Sequence, residues 1–375
     1  MTANNAALFQ PAQIGHIDLR NRLAVAPMTR VSANDDGTAN ALMCEYYQAY
    51  ATGGFGLIIT EGLYTDQLFS QCYRQQPGIT NEQQAQSWQP IIDAVHSEGG
   101  MIIAQLMHAG ALSQYSKYAA HSSGPSAVKP LGQQMSFYYG EGDYRLPQAM
   151  REDDIQAAIQ GFAAAALLAK SAGFDGVEIH GANGYLLDQF LTTYTNQRED
   201  KYGGSLTNRL RIYQEIVSAV REAVGPDFVV GVRFSQTKVN DSQYRWPEAD
   251  AAARQAFTLM RENPVDYIHT TEPSLNEPAF AGSPSLASLA KQISGLPVIA
   301  NGGVSQPALA TAMLESDQAD IISLGKTALA NPNWPMAVQN NQLLNSFNFA
   351  MFSPIANLES ASRYFTQAHD AVSPS

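Results

Sequence analysis

Short apolar runs recur down the chain, each followed by a stretch with helical periodicity, and that alternation is what most restricts the fold. The runs cover residues 22–28, 57–60, 101–106, 176–180, 228–233, 266–270, 297–300 and 320–324. Near-continuous runs of this length suit parallel strands buried on both faces. Amphipathic stretches over 82–98, 153–172, 209–224, 248–263, 284–294 and 306–316 lie between them, and several stop at a glycine (Gly99-Gly100, Gly173, Gly225, Gly295), as helix C-caps do. Strands alternating with helices predict βαβ units and a parallel sheet. Eight such units in 375 residues predict an α/β protein: one (β/α)₈ TIM barrel domain spanning 1–375, in preference to an open doubly wound sheet. No G-x-G-x-x-G follows the first strand, which counts against a dinucleotide fold. One departure is large. Residues 109–150 intervene between the third strand and its helix, and connections that long are usually functional, so this excursion, with Phe137, Tyr138, Tyr139 and Tyr144, is expected to cap the barrel mouth as a lid or hairpin.

Composition narrows the setting. The longest apolar run, 161–169, is far shorter than the roughly 18 residues of a membrane span. Neither a basic stretch nor an apolar block of the secretory kind occurs in the first sixteen residues. Cys44 and Cys72 form no metal-type spacing and no disulfide framework, so a cytoplasmic setting is expected. With 34 acidic against 22 basic residues the net charge is −12, which repels phosphate backbones and anionic lipid; neither nucleic acid nor membrane is an expected partner.

In such barrels the chemistry gathers at the C-terminal strand ends, and phosphate is held by the loops after strands seven and eight. Those positions give Pro27, Met28 and Thr29, then Glu61 and Gly62, then Gln105 and His108. The later strands give His180, Asn183 and Tyr185, then Arg233, then Asn301, Gly302 and Gly303, and finally Gly325 and Lys326. Glycines let backbone N–H groups approach an anion and Lys326 adds charge, so the last two strand ends point to a phosphate-bearing ligand. The plainer reading of Gly302-Gly303 is a turn. His180 and Asn183, two neutral donors, would polarise a carbonyl and hold the oxygen on which charge develops; a histidine there can equally be a satisfied core residue. Tyr185 is a proton donor or one more of 17 packed tyrosines. No second His and no Cys stands near His180, so no metal site is expected.

Four segments carry a resemblance: Leu8-Phe-Gln-Pro with Leu19-Arg-Asn-Arg-Leu-Ala-Val-Ala-Pro-Met-Thr-Arg30; Gln105-Leu-Met-His-Ala-Gly110; Gly173-Phe-Asp-Gly-Val-Glu-Ile-His-Gly-Ala-Asn-Gly-Tyr-Leu-Leu-Asp-Gln-Phe-Leu191; and Asn196-Gln-Arg-Glu-Asp-Lys-Tyr-Gly-Gly-Ser-Leu-Thr-Asn-Arg209. Through them the chain resembles the old yellow enzyme family of FMN-dependent ene-reductases over nearly all of its length. The resemblance implies a noncovalent FMN, with Ala26, Pro27, Met28 and Gly62 along its ring system. Thr29 would bond the flavin carbonyl beside the reactive nitrogen, Gln105 the pyrimidine edge, and Arg233 the opposite carbonyl. Asn301, Gly302, Gly303, Gly325 and Lys326 would lie at the phosphate end. His180 and Asn183 would grip a carbonyl or nitro oxygen, and Tyr185 would deliver a proton. NADPH or NADH is the implied reductant, enones and nitroalkenes the implied substrates, and a monomer or homodimer the implied assembly. The fragment 202–209 is expected to shape the loop before a helix.

Departures from the family pattern are specific. Lys326 stands where Arg is usual, which loses a bidentate fork. Ala111 replaces a common Arg, Met107 a common Trp, and residues 352–358 lack the aromatic tail of the yeast-like members. Thr29, in place of Cys, points away from the thiol-bearing subgroup. Three other readings compete. Iron–sulfur relatives on the same barrel need four Cys and extra domains, against two Cys here. A flavin-free barrel acting on a phosphorylated ligand, an isomerase or aldolase, would need an acid–base carboxylate or a Schiff-base Lys at a strand end, for which Glu61 is the candidate. A non-catalytic flavin carrier would have no use for His180, Asn183 and Tyr185 together.

Overall fold

The computed structural model describes residues 3–372. Eight strands form the barrel: β1 (Leu23–Val25), β2 (Leu57–Ile59), β3 (Met101–Met107), β4 (Gly176–His180), β5 (Val229–Phe234), β6 (Tyr267–Thr271), β7 (Val298–Asn301) and β8 (Ile321–Leu324). All neighbours run parallel, and the register is set by Val25 against Ile58, Ile58 against Ile102, Gln105 against Glu178, and His180 against Arg233. It continues with Arg233 against His269, Thr271 against Asn301 and Asn301 against Ser323, and closes with Leu324 against Val25. The ring has no free edge, as the eight-unit alternation predicts. Its N-terminal end is plugged by the hairpin Ala12–Ile14/Ile17–Leu19, whose Ile14, Ile17 and Leu19 join inward-facing Ala24, Leu57, Val229 and Ile321 in one apolar cluster.

The helices are α1 (Ala41–Thr52), α2 (Glu82–Ser87), α3 (Gln89–Ser97), α4 (Glu152–Ala172), α5 (Leu186–Leu191), α6 (Leu206–Val224), α7 (Asp250–Glu262), α8 (Leu286–Ser294), α9 (Pro307–Glu315), α10 (Lys326–Ala330), α11 (Trp334–Gln339) and α12 (Leu358–Val372). Most form an outer layer around the strands. By length and composition α4 is apolar enough to cross a membrane. Here its Ile155, Phe162, Ala165 and Ala169 are buried and it packs on β4 and α6. Its first turn carries Glu152, Asp153 and Asp154 at the positive end of the helix dipole, and it stops at Gly173 with φ +98°.

Three expected boundaries are corrected. The helix expected over 82–98 is two helices, because the Pro90 nitrogen carries no hydrogen to continue the ladder through Trp88. The helix expected from Arg209 begins at Leu206, where the Ser205 hydroxyl accepts the Asn208 N–H, so 206–209 belong to the helix and not to the loop before it. The first strand is only Leu23–Val25, although the Ala26 N–H still reaches the Leu324 carbonyl at 2.9 Å. The excursion over 109–150 holds two 3₁₀ turns and a short parallel pairing of Ser123–Gly124 with Gln148–Ala149. Phe137 and Tyr138 face the barrel mouth, whereas Tyr144 is buried within the excursion.

Candidate functional site

A cavity of about 800 Å³ opens at the C-terminal end of the barrel, within the size range of cofactor and small-molecule sites. Its floor begins with a polar network inside the strands. Glu178 on β4 is fully buried and accepts three hydrogen bonds, from Gln105 Nε2 (2.8 Å), Tyr267 Oη (3.0 Å) and His269 Nδ1 (2.8 Å). His269 Nε2 then takes the Ser323 hydroxyl at 2.8 Å. Burial works to raise the Glu178 pKa, but His269, Arg233 and Gln105 together outweigh it and hold the carboxyl down at about 2. Arg233, between His180 and His269 in the register, is the cation that this carboxylate balances. Its Nε is buried without a hydrogen-bond partner among the described residues, and its Nη2 reaches Asn301 Oδ1 only at 3.5 Å. A buried guanidinium with donors to spare is a site for an electron-rich group.

One wall is the turn after β4. Burial and the neighbouring Arg233 push the His180 pKa down to about 3, so the ring is neutral at ordinary pH. Its Nδ1 accepts the Ala182 N–H at 3.3 Å, which leaves the ring proton on Nε2 as a donor. Asn183 adopts a left-handed backbone, φ +61°, a conformation Asn tolerates better than most residues; its N–H donates to the Ser235 hydroxyl at 2.8 Å. Tyr185 packs edge-on against His180 with centroids 5.0 Å apart, and its hydroxyl lies 2.6 Å from that of buried Tyr73. Burial pushes the Tyr185 phenol well above the ordinary tyrosine value, so it stays protonated.

Opposite lie Ala26, Pro27, Met28, Thr29 and Gly62, with Met107 on β3 beside them. Asn301, Gly302, Gly303, Gly325 and Lys326 form the far end. Gly302 has φ +152°, and a Cβ there would stand 2.4 Å from the Glu272 carbonyl oxygen, so the turn requires glycine whatever ligand it meets. Lys326 is exposed at the rim, without a carboxylate partner among the described residues; its ammonium lies 5.0 Å from the Phe349 ring centroid. Every site residue expected from the sequence therefore lines this one cavity, except Glu61 and His108. The Glu61 carboxylate turns away, accepting the Arg30 N–H at 2.9 Å and contacting Tyr47 Oη at 3.3 Å, so it is not the acid–base group of a phosphate-ligand barrel. His108 is buried 3.5 Å from Asp66.

Phe137 and Tyr138 of the excursion, with Met135 beside them, roof the cavity. Several residues in or behind it escaped the sequence reading. Phe347, Phe349 and Phe352 from the C-terminal segment also roof it, so this tail does bring aromatic rings to the site. Glu272 after β6 also lines it, and burial pushes that carboxyl up to about 7. Tyr73 was not singled out because it lies in an irregular stretch, 112 residues from Tyr185. Ala111 does not line the cavity; its N–H is bonded to Gln189 Oε1 at 2.9 Å.

The donors fit a flavin mononucleotide: a buried guanidinium with unused N–H groups, an amide fixed by Glu178, an apolar ledge, and a glycine end with a free lysine. Comparison with known proteins agrees. Residues 7–345 match the family model described as the NADH:flavin oxidoreductase / NADH oxidase family. The chain is 32% identical over 337 residues to an NADH oxidase of Thermoanaerobacter brockii, aligning 88% of its own length but spanning only half of that protein. It is 33% identical over 362 residues to a putative 12-oxophytodienoate reductase 11 of rice (Oryza sativa subsp. japonica), covering 93% and 95% of the two chains. The solved structure of an old yellow enzyme homologue from Zymomonas mobilis superposes with a TM-score of 0.82 at 29% identity, covering 94% of this chain and 99% of that one. On fold, cavity and these matches together, the chain belongs to the FMN-linked NADH:flavin oxidoreductase family of old yellow enzyme type.

Proposed function

We propose that the protein is an ene-reductase, drawing hydride from NADH or NADPH and reducing the C=C bond of α,β-unsaturated carbonyl and nitro compounds. The observation that carries this reading is the convergence of His180, Asn183 and Tyr185 on the cavity that also holds Gln105, Arg233 and the glycine–lysine end. FMN, when bound there, supplies hydride transfer in both directions, from a nicotinamide and to an alkene carbon.

The chain's own residues then divide the remaining work. Arg233 offsets negative charge on the group it faces, Gln105 and Thr29 offer polar contacts to its edge, and Ala26, Pro27, Met28 and Gly62 flank it. Lys326 supplies a point charge for a phosphate where an arginine would supply a fork. His180 Nε2–H and the Asn183 side-chain amide donate to the substrate oxygen and stabilise it as negative charge builds, a contribution of about 3 kcal/mol for one well-placed donor. Because His180 is neutral, it binds that oxygen without giving up a proton. Tyr185 is the acid that protonates the α-carbon. Tyr73 Oη, 2.6 Å away, is placed to donate to the phenolate oxygen left behind. Phe137, Tyr138 and Phe352 put aromatic surface at the mouth, which lowers the polarity around these contacts.

The test is direct. Purified protein is expected to be yellow, and a screen of enones, maleimides and nitroalkenes with each nicotinamide is expected to yield turnover. Protein that stays colourless after incubation with FMN would remove the flavin, and with it the hydride chemistry, from the proposal. Flavin reduction without any alkene turnover would favour a different electron acceptor.

A further inference from the structure

Behind the turn carrying His180, Asn183 and Tyr185 lies a buried ion pair that the reading above leaves unused. Lys238 Nζ stands 2.8 Å from Asp188 Oδ1, with side chains 2% and 0% exposed. So buried a pair gains little net stability, because lost hydration offsets most of the attraction, and apolar replacement is often neutral. What the pair touches is more telling. Asp188, in the first turn of α5, uses Oδ2 to accept the Gly184 N–H at 2.6 Å. Lys238 belongs to the loop after β5, and its ammonium also lies 4.2 Å from the Tyr244 ring centroid. The same two loops are joined through the backbone: the Asn183 N–H donates to Ser235 Oγ at 2.8 Å, and the Val239 N–H to the Asn183 carbonyl at 3.0 Å. Asn183 and Gly184 are consecutive left-handed residues, φ +61° and +88°. Asn enters that conformation more readily than most residues but is not confined to it, so the contacts around the turn decide whether it is held there. A Cβ on Gly184 would meet Lys238 Cβ at 3.1 Å, so the loops touch directly at this point.

We propose that Asp188 and Lys238 are positioning residues. Acting through Gly184 and Asn183, they lock the 181–185 turn so that the Asn183 and Tyr185 side chains present to the cavity. Neither lines the cavity itself. The catalytic part of this inference rests on the ene-reductase reading; the mechanical part does not.

The double variant Asp188→Leu/Lys238→Met nearly keeps side-chain volume, leaves no unpaired buried charge and removes the acceptor of the Gly184 N–H, so it is designed to fold without the lock. Hydrogen–deuterium exchange of the full-length, FMN-loaded protein is read across peptides covering 181–187. Exchange there is expected to quicken about tenfold or more, with α6 and the barrel strands unchanged. Phenol binding is expected to weaken about tenfold, and kcat for enone reduction to fall more than KM rises, while flavin retention and its reduction by nicotinamide stay parental. Should that variant fold poorly, Asp188→Asn/Lys238→Gln, which carries no charge and keeps both an acceptor for the Gly184 N–H and a donor facing it, is read in its place and is expected to show smaller changes of the same kind. Parental protection over 181–187 overturns the proposal whatever the substrate. Lost protection with parental phenol binding overturns it too, provided Asn183→Ala does weaken phenol. Lost protection in a protein whose Asn183→Ala variant binds phenol normally supports the lock and overturns the oxygen-clamp reading instead.

Discussion

Tyr185→Phe removes one hydroxyl and keeps the ring, and its two consequences have separable sizes. Catalytically, a general acid contributes about 10²–10⁴-fold, so enone reduction by the reduced enzyme is expected to slow by that factor. Flavin reduction by NADH or NADPH needs no such acid and is expected to change only a few-fold. Structurally, the same substitution strands the Tyr73 hydroxyl, which is fully buried and bonded to Tyr185 Oη at 2.6 Å. An orphaned buried hydroxyl costs about 1–3 kcal/mol, enough to lower the melting temperature and to disturb the wall against which Tyr138 packs. The double variant Tyr73→Phe/Tyr185→Phe removes both hydroxyls and restores an apolar match, so most of the lost stability is expected to return. The acid is still missing, so enone reduction is expected to remain as slow as in Tyr185→Phe. Tyr73→Phe alone keeps the acid but loses the donor to its phenolate; a hydrogen bond to a charged group is worth about 1.5–3 kcal/mol, so roughly 10–100-fold slowing is expected. Stopped-flow measurement of the two half-reactions separates these outcomes. Nitroalkenes serve as an internal control, since a nitronate can leave and be protonated in water. Equal slowing of both half-reactions would mean a displaced flavin, and an unslowed enone step would mean that the proton comes from another group. Effects of the two substitutions that simply multiply would show that Tyr73 does not act through Tyr185.

Lys326→Ala is expected to weaken FMN retention on dilution while leaving turnover of the remaining holoenzyme nearly unchanged; unchanged retention would refute the phosphate role. His180→Ala and Asn183→Ala are each expected to weaken phenol binding, read from the long-wavelength charge-transfer band, and a parental titration in the double variant would refute the oxygen clamp. Because His180 is held neutral down to about pH 3, enone turnover is expected to show no His180-dependent inflection between pH 5 and 8, and one abolished by His180→Asn would refute that assignment. Burial pushes Glu61 up to about 7 against the stabilising contacts of Arg30 and Tyr47. A carboxyl raised above its unfolded value favours the fold below about pH 4.5, and that advantage drains as pH climbs to 7, by about 3 kcal/mol in all. Glu61→Gln is thus expected to melt progressively higher relative to the parent from pH 5 to 8, and a pH-independent gap would refute it.

The barrel and most of the cavity were legible because they depend on position along single strands. An apolar run predicts a buried strand, the strand's C-terminal end predicts the mouth, and so Pro27, Gln105, His180, Arg233 and Gly302 could be read without any long-range contact. What escaped depends on pairs far apart in sequence or on segments without period. Tyr73 meets Tyr185 only in the fold, and Lys238 meets Asp188 across 50 residues. Phe347, Phe349 and Phe352 lie in a stretch with no regular structure beyond one 3₁₀ turn, so no periodicity marked them for the roof. Apolar spacing runs through Pro90 and does not register a missing N–H, so it joins α2 and α3 into one helix where the structure has two.

Charged or titratable residues inside otherwise apolar strands also carry information about the site. Glu178 sits within Gly176–His180 and His269 within Tyr267–Thr271, positions where an unpartnered polar group would be costly. Each must therefore have a partner inside the barrel, and the parallel register supplies it, setting Gln105 beside Glu178 and Arg233 between His180 and His269. The consequence reaches the site. Burying the Arg233 guanidinium is costly, and Glu178 supplies the opposite charge that offsets it; burial first, then Arg233 and His269, depress His180 against an opposing pull from Glu178. The buried carboxylate thus compensates the cation that faces the cofactor site, while burial, Arg233 and His269 keep the histidine that faces the substrate neutral. Removing Glu178 would reach the chemistry through charge balance, although its side chain lies beneath the cavity and not in it.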